Sequence, residues 1–305
     1  MTEGIPVRGS PRFRGAAMFG PLDRLWRRTR TSRGASAVVT GAGSGIGAAF
    51  AVELARRGGA VVCSDIDEAS AQITADAIIA QGAKAVAVRC DVSKIEDVNS
   101  LAQESQSWFG AAPTLVVNNA GVGAGGAAIG EVSLDDWAWT LGINLWGAIH
   151  GCHVFTPILR EAGPWGPGHA PRGIINVASA AAFGAAPGMA AYNVSKAGVL
   201  SLSETLAAEL SRTPVRVTVL CPTFVATNIL ESGRITEESC ELAARLTRWI
   251  GFSPEKVARI CLDAHDRGEL YCMPQLDAKF SWGVKRLAPQ AYTRAVGLVS
   301  RANMH

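Results

Sequence analysis

Tyr192 and Lys196 stand four residues apart in "YNVSK", and Ser179 lies thirteen positions before Tyr192 across a run of small residues. Residues at i and i+4 share one helix face, about 5–6 Å apart at Cβ. A phenol titrates near pH 10, roughly three units too high for a good base at neutrality, but an adjacent ammonium favours the phenolate. Such a pair can take the proton from a substrate hydroxyl while the carbon is oxidised. The Ser179 hydroxyl, at the end of a predicted strand, is placed to hold the substrate oxygen. The intervening alanines and glycines leave room for a cofactor and a substrate.

A second group lies in "VVTGAGSGIGAAF", which sets Gly41, Gly45 and Gly47 between a predicted strand and a predicted helix. Small residues there let the backbone approach a pyrophosphate, and the free N–H groups of the helix start hold the anion. A glycine-rich turn alone says little; its place at the opening of a βαβ unit is what points to a dinucleotide. The next predicted strand ends at Asp65, 24 residues after Gly41. An acid there accepts hydrogen bonds from both ribose hydroxyls and repels a 2′-phosphate. No Arg or Lys replaces Ser44 or directly follows Asp65, so the residues favour NAD(H) over NADP(H). Asp91, after the third strand, suits either an adenine amino group or a plain strand-end cap.

These residues need a frame, and the hydrophobic pattern supplies one. "ASAVVT", "AVVCSD", "AVAVRCD", "TLVVNN", "GIINVAS", "VRVTVLCP" and "LYCMP" read as strands, mostly continuous apolar runs. Runs of that kind suit strands covered on both faces. Helices alternate with them: "GSGIGAAFAVELARRGG", "DEASAQITADAIIAQGA", "IEDVNSLAQESQSWFG", one long helix over about 134–160 with Ser133 and Asp136 as a capping pair, another over 192–211, and "SPEKVARICLDAHDRG". Alternation predicts an α/β fold, a Rossmann-type doubly wound parallel sheet in one domain. The domain is expected over 35–275, with Arg-rich residues 1–34 and basic residues 276–305 as extensions outside it.

With these motifs in place, the sequence resembles the short-chain dehydrogenase/reductase family. The matching residues are "TGAGSGIG" at 40–47, Asp65, "CDV" at 90–92, "NNAG" at 118–121, Asn144 in "GINLWG", Ser179, and "YNVSK" at 192–196. The resemblance implies that Tyr192 is the general acid/base, that Lys196 holds the nicotinamide ribose and lowers the Tyr pKa, and that Ser179 orients the substrate oxygen. It implies an Asn144-supported water relay to Lys196. Cofactor contacts are implied for the glycine loop with Ser44 and Ile46, for Asp65 with Ile66, and for Asp91 with Val92. Asn118, Ala120 and Gly121 are expected on the adenosine side, and Pro222, Val225 and Thr227 by the nicotinamide. One departure stands out: Pro222-Thr223 replaces the family's Pro-Gly, and a β-branched residue tolerates fewer backbone conformations.

Ala181, Phe183, Met189 and Phe224, all apolar, are expected to face the substrate. Residues 228–251 fall where the family has a mobile lid, and Leu242, Leu246, Trp249 and Ile250 give that segment an apolar stripe, suited equally to packing on the body. No Arg or Lys cluster guards the pocket, so the substrate expected is a hydrophobic secondary alcohol or its ketone: steroid-like, aromatic or lipid-derived. Two alternatives are an NADPH-dependent 3-oxoacyl reductase, against which Asp65 argues, and a non-catalytic dinucleotide-binding protein, against which the intact Asn144, Ser179, Tyr192 and Lys196 argue.

Composition is that of a globular protein, 48% hydrophobic and 18% charged, with a net charge of +3 that is too weak to argue for nucleic acid. Seven scattered cysteines without a C-x-x-C pattern read as reduced thiols, not a metal or disulfide framework. His150 and His153 lie at i and i+3 on the long helix, where packing or a subunit interface is the expected role. No apolar run reaches the about 18 residues of a membrane span and no secretory signal is visible, so a cytoplasmic location is expected. The family resemblance implies a homo-oligomer, dimer or tetramer, through the helices carrying Asn144 and Tyr192. Basic segments with interleaved apolar residues occur at both ends: Leu22, Leu25 and Trp26 among arginines, and Phe280, Trp282 and Leu287 beside Lys285 and Arg286. Either could rest weakly on an anionic membrane surface; the alternative reading is a disordered first tail and a last segment that packs across a neighbouring subunit.

Overall fold

The structure, a computed structural model, describes residues 30–166, 168–227, 229 and 233–302. The apolar segment with Leu22, Leu25 and Trp26 lies outside the described residues, as do Asn228 and the side chains of Leu242, Leu246, Trp249 and Ile250.

The first half runs β1 (Ser36–Thr40), α1 (Gly45–Arg56), β2 (Ala60–Asp65), α2 (Glu68–Ala80), β3 (Lys84–Arg89), α3 (Ile95–Phe109), β4 (Leu115–Asn118) and a two-residue β5 (Ala124–Gly125). Next come α4 (Leu134–Leu141), a π-helical turn (Gly142–Trp146), α5 (Gly147–Ala162), β6 (Arg172–Val177), a short α6 (Ala181–Gly184) and α7 (Ala190–Glu209). The chain continues through β7 (Val215–Leu220), β8 (Arg234–Ile235), α8 (Glu237–Ile250), α9 (Pro254–Asp266), β9 (Tyr271–Cys272), α10 (Leu276–Leu287) and α11 (Pro289–Ala302).

Seven strands form one sheet in the order β3-β2-β1-β4-β6-β7-β9. Every neighbouring pair is parallel. Strand order reverses between β1 and β4, and a crevice opens there at the carboxyl edge. Alternate residues point to opposite faces. Val39, Val117 and Ile175 pack with Phe50 and Leu54 of α1, Ile78 of α2 and Leu262 of α9. Val38, Val116 and Ile174 pack with Leu101 of α3, Phe155 and Leu159 of α5 and Leu206 of α7. Both faces are therefore dry, which is why the strands read as unbroken apolar runs. β5 and β8 form a separate parallel ribbon.

Helix ends follow their caps. Ser133 Oγ accepts from Asp136 N at 3.0 Å, and Ser253 Oγ from Lys256 N at 3.3 Å. The expected long helix over 134–160 differs in one respect. Its register is broken by the π turn, which inserts an extra residue and turns Asn144 inward.

Two expected boundaries shift. Residues 30–34 belong to the body: Thr31 and Ser32 are fully buried. Asp266 accepts from Ser32 N at 2.9 Å and Ser32 Oγ at 2.7 Å, and Arg57 Nη1 donates to Ser32 Oγ at 2.9 Å. At the other end α10 packs on the body through Ala278, which is fully buried, and through Trp282, whose ring lies 5.1 Å from Phe183 and 5.4 Å from Tyr271.

Asp266→Ala should therefore cost about 2–4 kcal/mol of unfolding free energy, since it removes two hydrogen bonds to a charged acceptor and leaves the Arg57 guanidinium short of a partner. Urea unfolding would register this, and a loss below about 0.5 kcal/mol would show that the Ser32 anchor is not part of the cooperative fold.

Candidate active site

A cleft of ≈ 320 Å³ opens along the carboxyl ends of β1, β2, β4, β6 and β7. Its lining includes Gly41, Ser44, Gly45, Ile46, Asp65, Ile66, Asp91, Val92 and Thr227 at one end, and Ser179, Tyr192, Lys196, Pro222 and Val225 at the other, with Ala120 and Gly121 also present. Most of the residues expected around a dinucleotide thus share one cavity.

The loop after β1 is shaped by two glycines. Gly41 has φ +65°, and a Cβ there would lie 2.8 Å from the Ala120 Cα. On Gly47 a Cβ would meet the Gly41 carbonyl oxygen at 1.9 Å. Gly47 therefore lies behind the loop and lets it fold flat; it is not in the cleft wall. Across the loop, Thr227 comes within 3.0 Å of where a Gly45 Cβ would sit, so the segment after β7 closes over the loop.

Asp65 ends β2 with Oδ2 accepting from Gly43 N at 2.9 Å and Oδ1 from Asp67 N at 3.1 Å. A carboxylate has about four acceptor positions, so two remain for a ligand. Asp91 Oδ1 accepts from Ser93 Oγ at 2.6 Å, and these bonds with Ser93, together with nearby Lys94, hold its pKa below the usual carboxylate value despite burial.

Asn118 is displaced from its expected place. It is buried on the α5 side of the sheet, donating to Asn176 Oδ1 at 2.8 Å, because strand alternation puts it on the same face as Val116. Asn119, one residue on, takes the position at the cleft. Its Nδ2 donates to Thr40 O at 2.9 Å and Gly41 O at 3.1 Å, clipping β4 to the glycine loop. Strand parity carried that signal in the sequence.

At the far end, Lys196 on α7 is 3% exposed and donates to Val177 O at 3.0 Å. Burial pulls its pKa down to about 8. Its Nζ lies 5.7 Å from the centre of the Tyr192 ring. Burial also raises the Tyr192 pKa, and the hydrogen bond with Ser179 pulls it back only in part. Desolvation is thus the dominant influence on the phenol, and the net shift is upward rather than the expected lowering. Ser179 Oγ also accepts from Ala181 N at 3.1 Å.

Asn144 does not line the cleft. Its Oδ1 accepts from Val122 N at 2.7 Å, and its Nδ2 donates to Val122 O at 2.9 Å and Ser195 Oγ at 3.2 Å. It braces the floor of the site, tying the loop after β4 to α7. A Cβ on Gly121 would sit 3.0 Å from Asn144 Oδ1 and 3.3 Å from Lys196 Nζ, so both side chains press on that glycine. Thr223 needs no glycine-like backbone, since its φ is not positive. It is held by Gln275 and Asp277, which contact its N and Oγ1 at 3.3 Å each.

The four residues expected to face the substrate separate. Phe183 is 3% exposed and packs edge-on against Trp282 in the core, so it is corrected to a structural role. Phe224 and Ala181 are half-buried outside the cleft lining, and the Phe224 carbonyl accepts from Phe252 N and Gln275 Nε2. Met189 lines a second cavity of ≈ 340 Å³ with Gly125, Val132 and Ile235, bordered by Asp136 and Arg234. Those two form an ion pair at 2.6 Å, and Arg234 stacks 4.3 Å from the Trp139 ring. His150 Nδ1 lies 2.9 Å from Val92 O, and among the described residues no cluster of metal ligands occurs.

The glycine cradle and the acid with spare acceptors fit a dinucleotide. Gly47→Ala should destabilise by about 1–3 kcal/mol, because a backbone oxygen blocks the new methyl, and should weaken dinucleotide binding in calorimetry. Gly283→Ala is the control, with nothing within 4 Å of the added methyl. Equal behaviour of the two variants would contradict the close packing of the loop.

Known proteins bear on this arrangement. The family model for short chain dehydrogenases matches residues 35–238. The Mycobacterium tuberculosis protein named "Probable oxidoreductase EphD" is 34% identical over 262 residues, 83% of this chain but 43% of that protein, so the chain spans less than half of that relative's length. The 1-deoxy-11-beta-hydroxypentalenate dehydrogenase of Streptomyces exfoliatus is 38% identical over 197 residues, covering 64% of this chain and 69% of that enzyme. A short-chain dehydrogenase/reductase from Burkholderia phymatum, solved in complex with NAD, superposes with a TM-score of 0.79 at 33% identity, over 86% of this chain and 96% of that one. With its parallel seven-stranded sheet, glycine loop and Ser179–Tyr192–Lys196 cluster, the chain belongs to the short-chain dehydrogenase family of oxidoreductases.

Proposed function

We propose that the protein interconverts a hydrophobic secondary alcohol and its ketone with NAD(H). The observation that carries this is the grouping of Ser179, Tyr192 and Lys196 in the wall of a cleft whose other end holds Asp65. When bound, the nicotinamide dinucleotide supplies the two-electron carrier that the reaction needs. Gly41, Ser44, Gly45 and Ile46 hold its pyrophosphate and Asp65 its adenosine ribose, while Lys196 holds the nicotinamide ribose. Ser179 orients the substrate oxygen. Tyr192 takes the hydroxyl proton in oxidation and returns it to the carbonyl oxygen in reduction. Burial raises the Tyr192 pKa, and positive charge beside the phenol, from Lys196 or an oxidised nicotinamide, would favour its ionised form. Asn144 positions the floor beneath both.

The NAD assignment rests on charge. Lys196 is the one cation among the described residues lining the cleft, and it lies at the opposite end from Asp65. Arg89 is paired with Asp65 in the β2–β3 register but contacts Asp97 at 3.6 Å and is outside the cleft. A 2′-phosphate would therefore meet a carboxylate with no cation at hand. The largely apolar second cavity beside Met189 supports a hydrophobic substrate, and the hydroxypentalenate in the name of the Streptomyces enzyme supports a hydroxyl as the group acted on. Association through the outer faces of α4, the π turn and α7, where Leu134, Trp146 and Val194 are exposed, would give a homo-oligomer. Among the described residues no helix is long and apolar enough to cross a membrane.

The cofactor preference should be at least about tenfold in kcat/KM for NAD over NADP, about 1.4 kcal/mol. Rates with both cofactors at one fixed concentration of a hydrophobic secondary alcohol measure it, and equal efficiencies would refute the role of Asp65. Tyr192→Phe should keep the fold and NAD affinity while turnover falls by about two to four orders of magnitude. Lys196→Ala should weaken NAD binding as well. Turnover of Tyr192→Phe within about threefold of wild type would place the proton acceptor elsewhere.

A further inference from the structure

The helices after β9 carry an apolar face that the body does not cover. Ala278 and Trp282 point inward on α10 and fix its rotation. Leu276, Phe280 and Leu287, at i, i+4 and i+11, consequently share the opposite side and are 80%, 73% and 89% exposed. Gly283 continues the stripe at i+7 and adds no polar group. The sequence had grouped Trp282 with Phe280 and Leu287; the structure turns Trp282 to the protein and puts Leu276 in its place. After a single intervening residue, α11 is tethered by Tyr292 Oη donating to Gly184 O at 3.2 Å, and it leaves Leu298 66% exposed.

Charge decides what suits this face. Asp277 is exposed in the first turn of α10, and from there the chain has Lys279, Lys285, Arg286, Arg294 and Arg301 and no further Asp or Glu. Lys279, Arg286 and Arg294 are exposed, and Arg286 lies flat on the Trp282 ring at 4.2 Å. A helix with one apolar side edged by cations suits an anionic lipid surface, where leucine and phenylalanine enter the acyl boundary and the cations meet headgroups.

We propose that the outer face of α10, helped by the exposed Leu298 and Arg294 of α11, docks on an anionic membrane surface. This goes beyond the dehydrogenase reading and does not depend on it. Full-length protein should pellet with phosphatidylcholine vesicles containing phosphatidylglycerol and not with phosphatidylcholine alone. High salt should weaken the attraction, since at about 1 M the screening length falls to about 3 Å. The triple variant Leu276→Ser/Phe280→Ser/Leu287→Ser, and separately Lys279→Glu/Arg294→Glu, should need about tenfold or more lipid for half-binding while keeping the wild-type unfolding transition. Three results would overturn the proposal. The wild type fails to bind anionic vesicles; the variants bind as the wild type does, which would assign the attraction to another segment; or light scattering finds an oligomer that the triple variant splits, which would make a second copy the cover.

Discussion

The Lys196 ammonium, buried at the carboxyl edge of the sheet, is the constraint around which the site is arranged. It is 3% exposed and donates a hydrogen bond to Val177 O. Desolvation lowers its pKa from 10.5 to about 8. Because the folded value lies below the unfolded one, the buried charge costs stability below about pH 8, and that cost fades as pH rises from about 8 to 10.5. The fold bears this cost because two parallel strand ends, the Gly121 backbone and Asn144 hold the surroundings in place. Such an expense is expected where the cation has a task, and the Tyr192 ring lies 5.7 Å from its Nζ.

Polar cross-links hold the rest of the site to this point. Thr40 Oγ1 accepts from both Asn119 N and Ala120 N, at 3.0 and 3.1 Å, and joins the glycine loop to the end of β4. Asn144 joins the next residues to α7. Behind the sheet, Asn118, Asn176 and Ser203 form a buried chain between β4, β6 and α7, with Asn176 Nδ2 donating to Ser203 Oγ at 3.0 Å. The dinucleotide end and the Tyr192 end of the cleft are thereby fixed relative to each other by hydrogen bonds as well as by packing.

Much of this was legible in the sequence, because parallel buried strands, capped helices and an i, i+4 pair each leave a local pattern. The seven strands, the Ser133 and Ser253 caps, and the meeting of Asp65, Ser179, Tyr192 and Lys196 in one cleft follow from such patterns. What escaped depended on three-dimensional context. Asn118 and Asn119 are chemically identical, and only the parity of β4 distinguishes the buried one from the one at the loop. Phe183 is an apolar residue near the reactive serine, but Trp282, a hundred positions away, claims it for the core. Helical periodicity ran smoothly through 134–160, so the π turn at Asn144 had no local signature. Thr31 and Ser32 looked like the end of a polar tail until Asp266, from the far end of the domain, bonded to them.

The central claim is that a cation is buried beneath Tyr192 and held there by the fold. Titration of the Lys196 side chain by nuclear magnetic resonance, in the folded chain without dinucleotide, tests it most directly. The account predicts a midpoint of about 8, with the ammonium signal lost above it. A midpoint near 10.5, the ordinary value for lysine, would mean that Lys196 is solvated and that the site's electrostatics arise elsewhere.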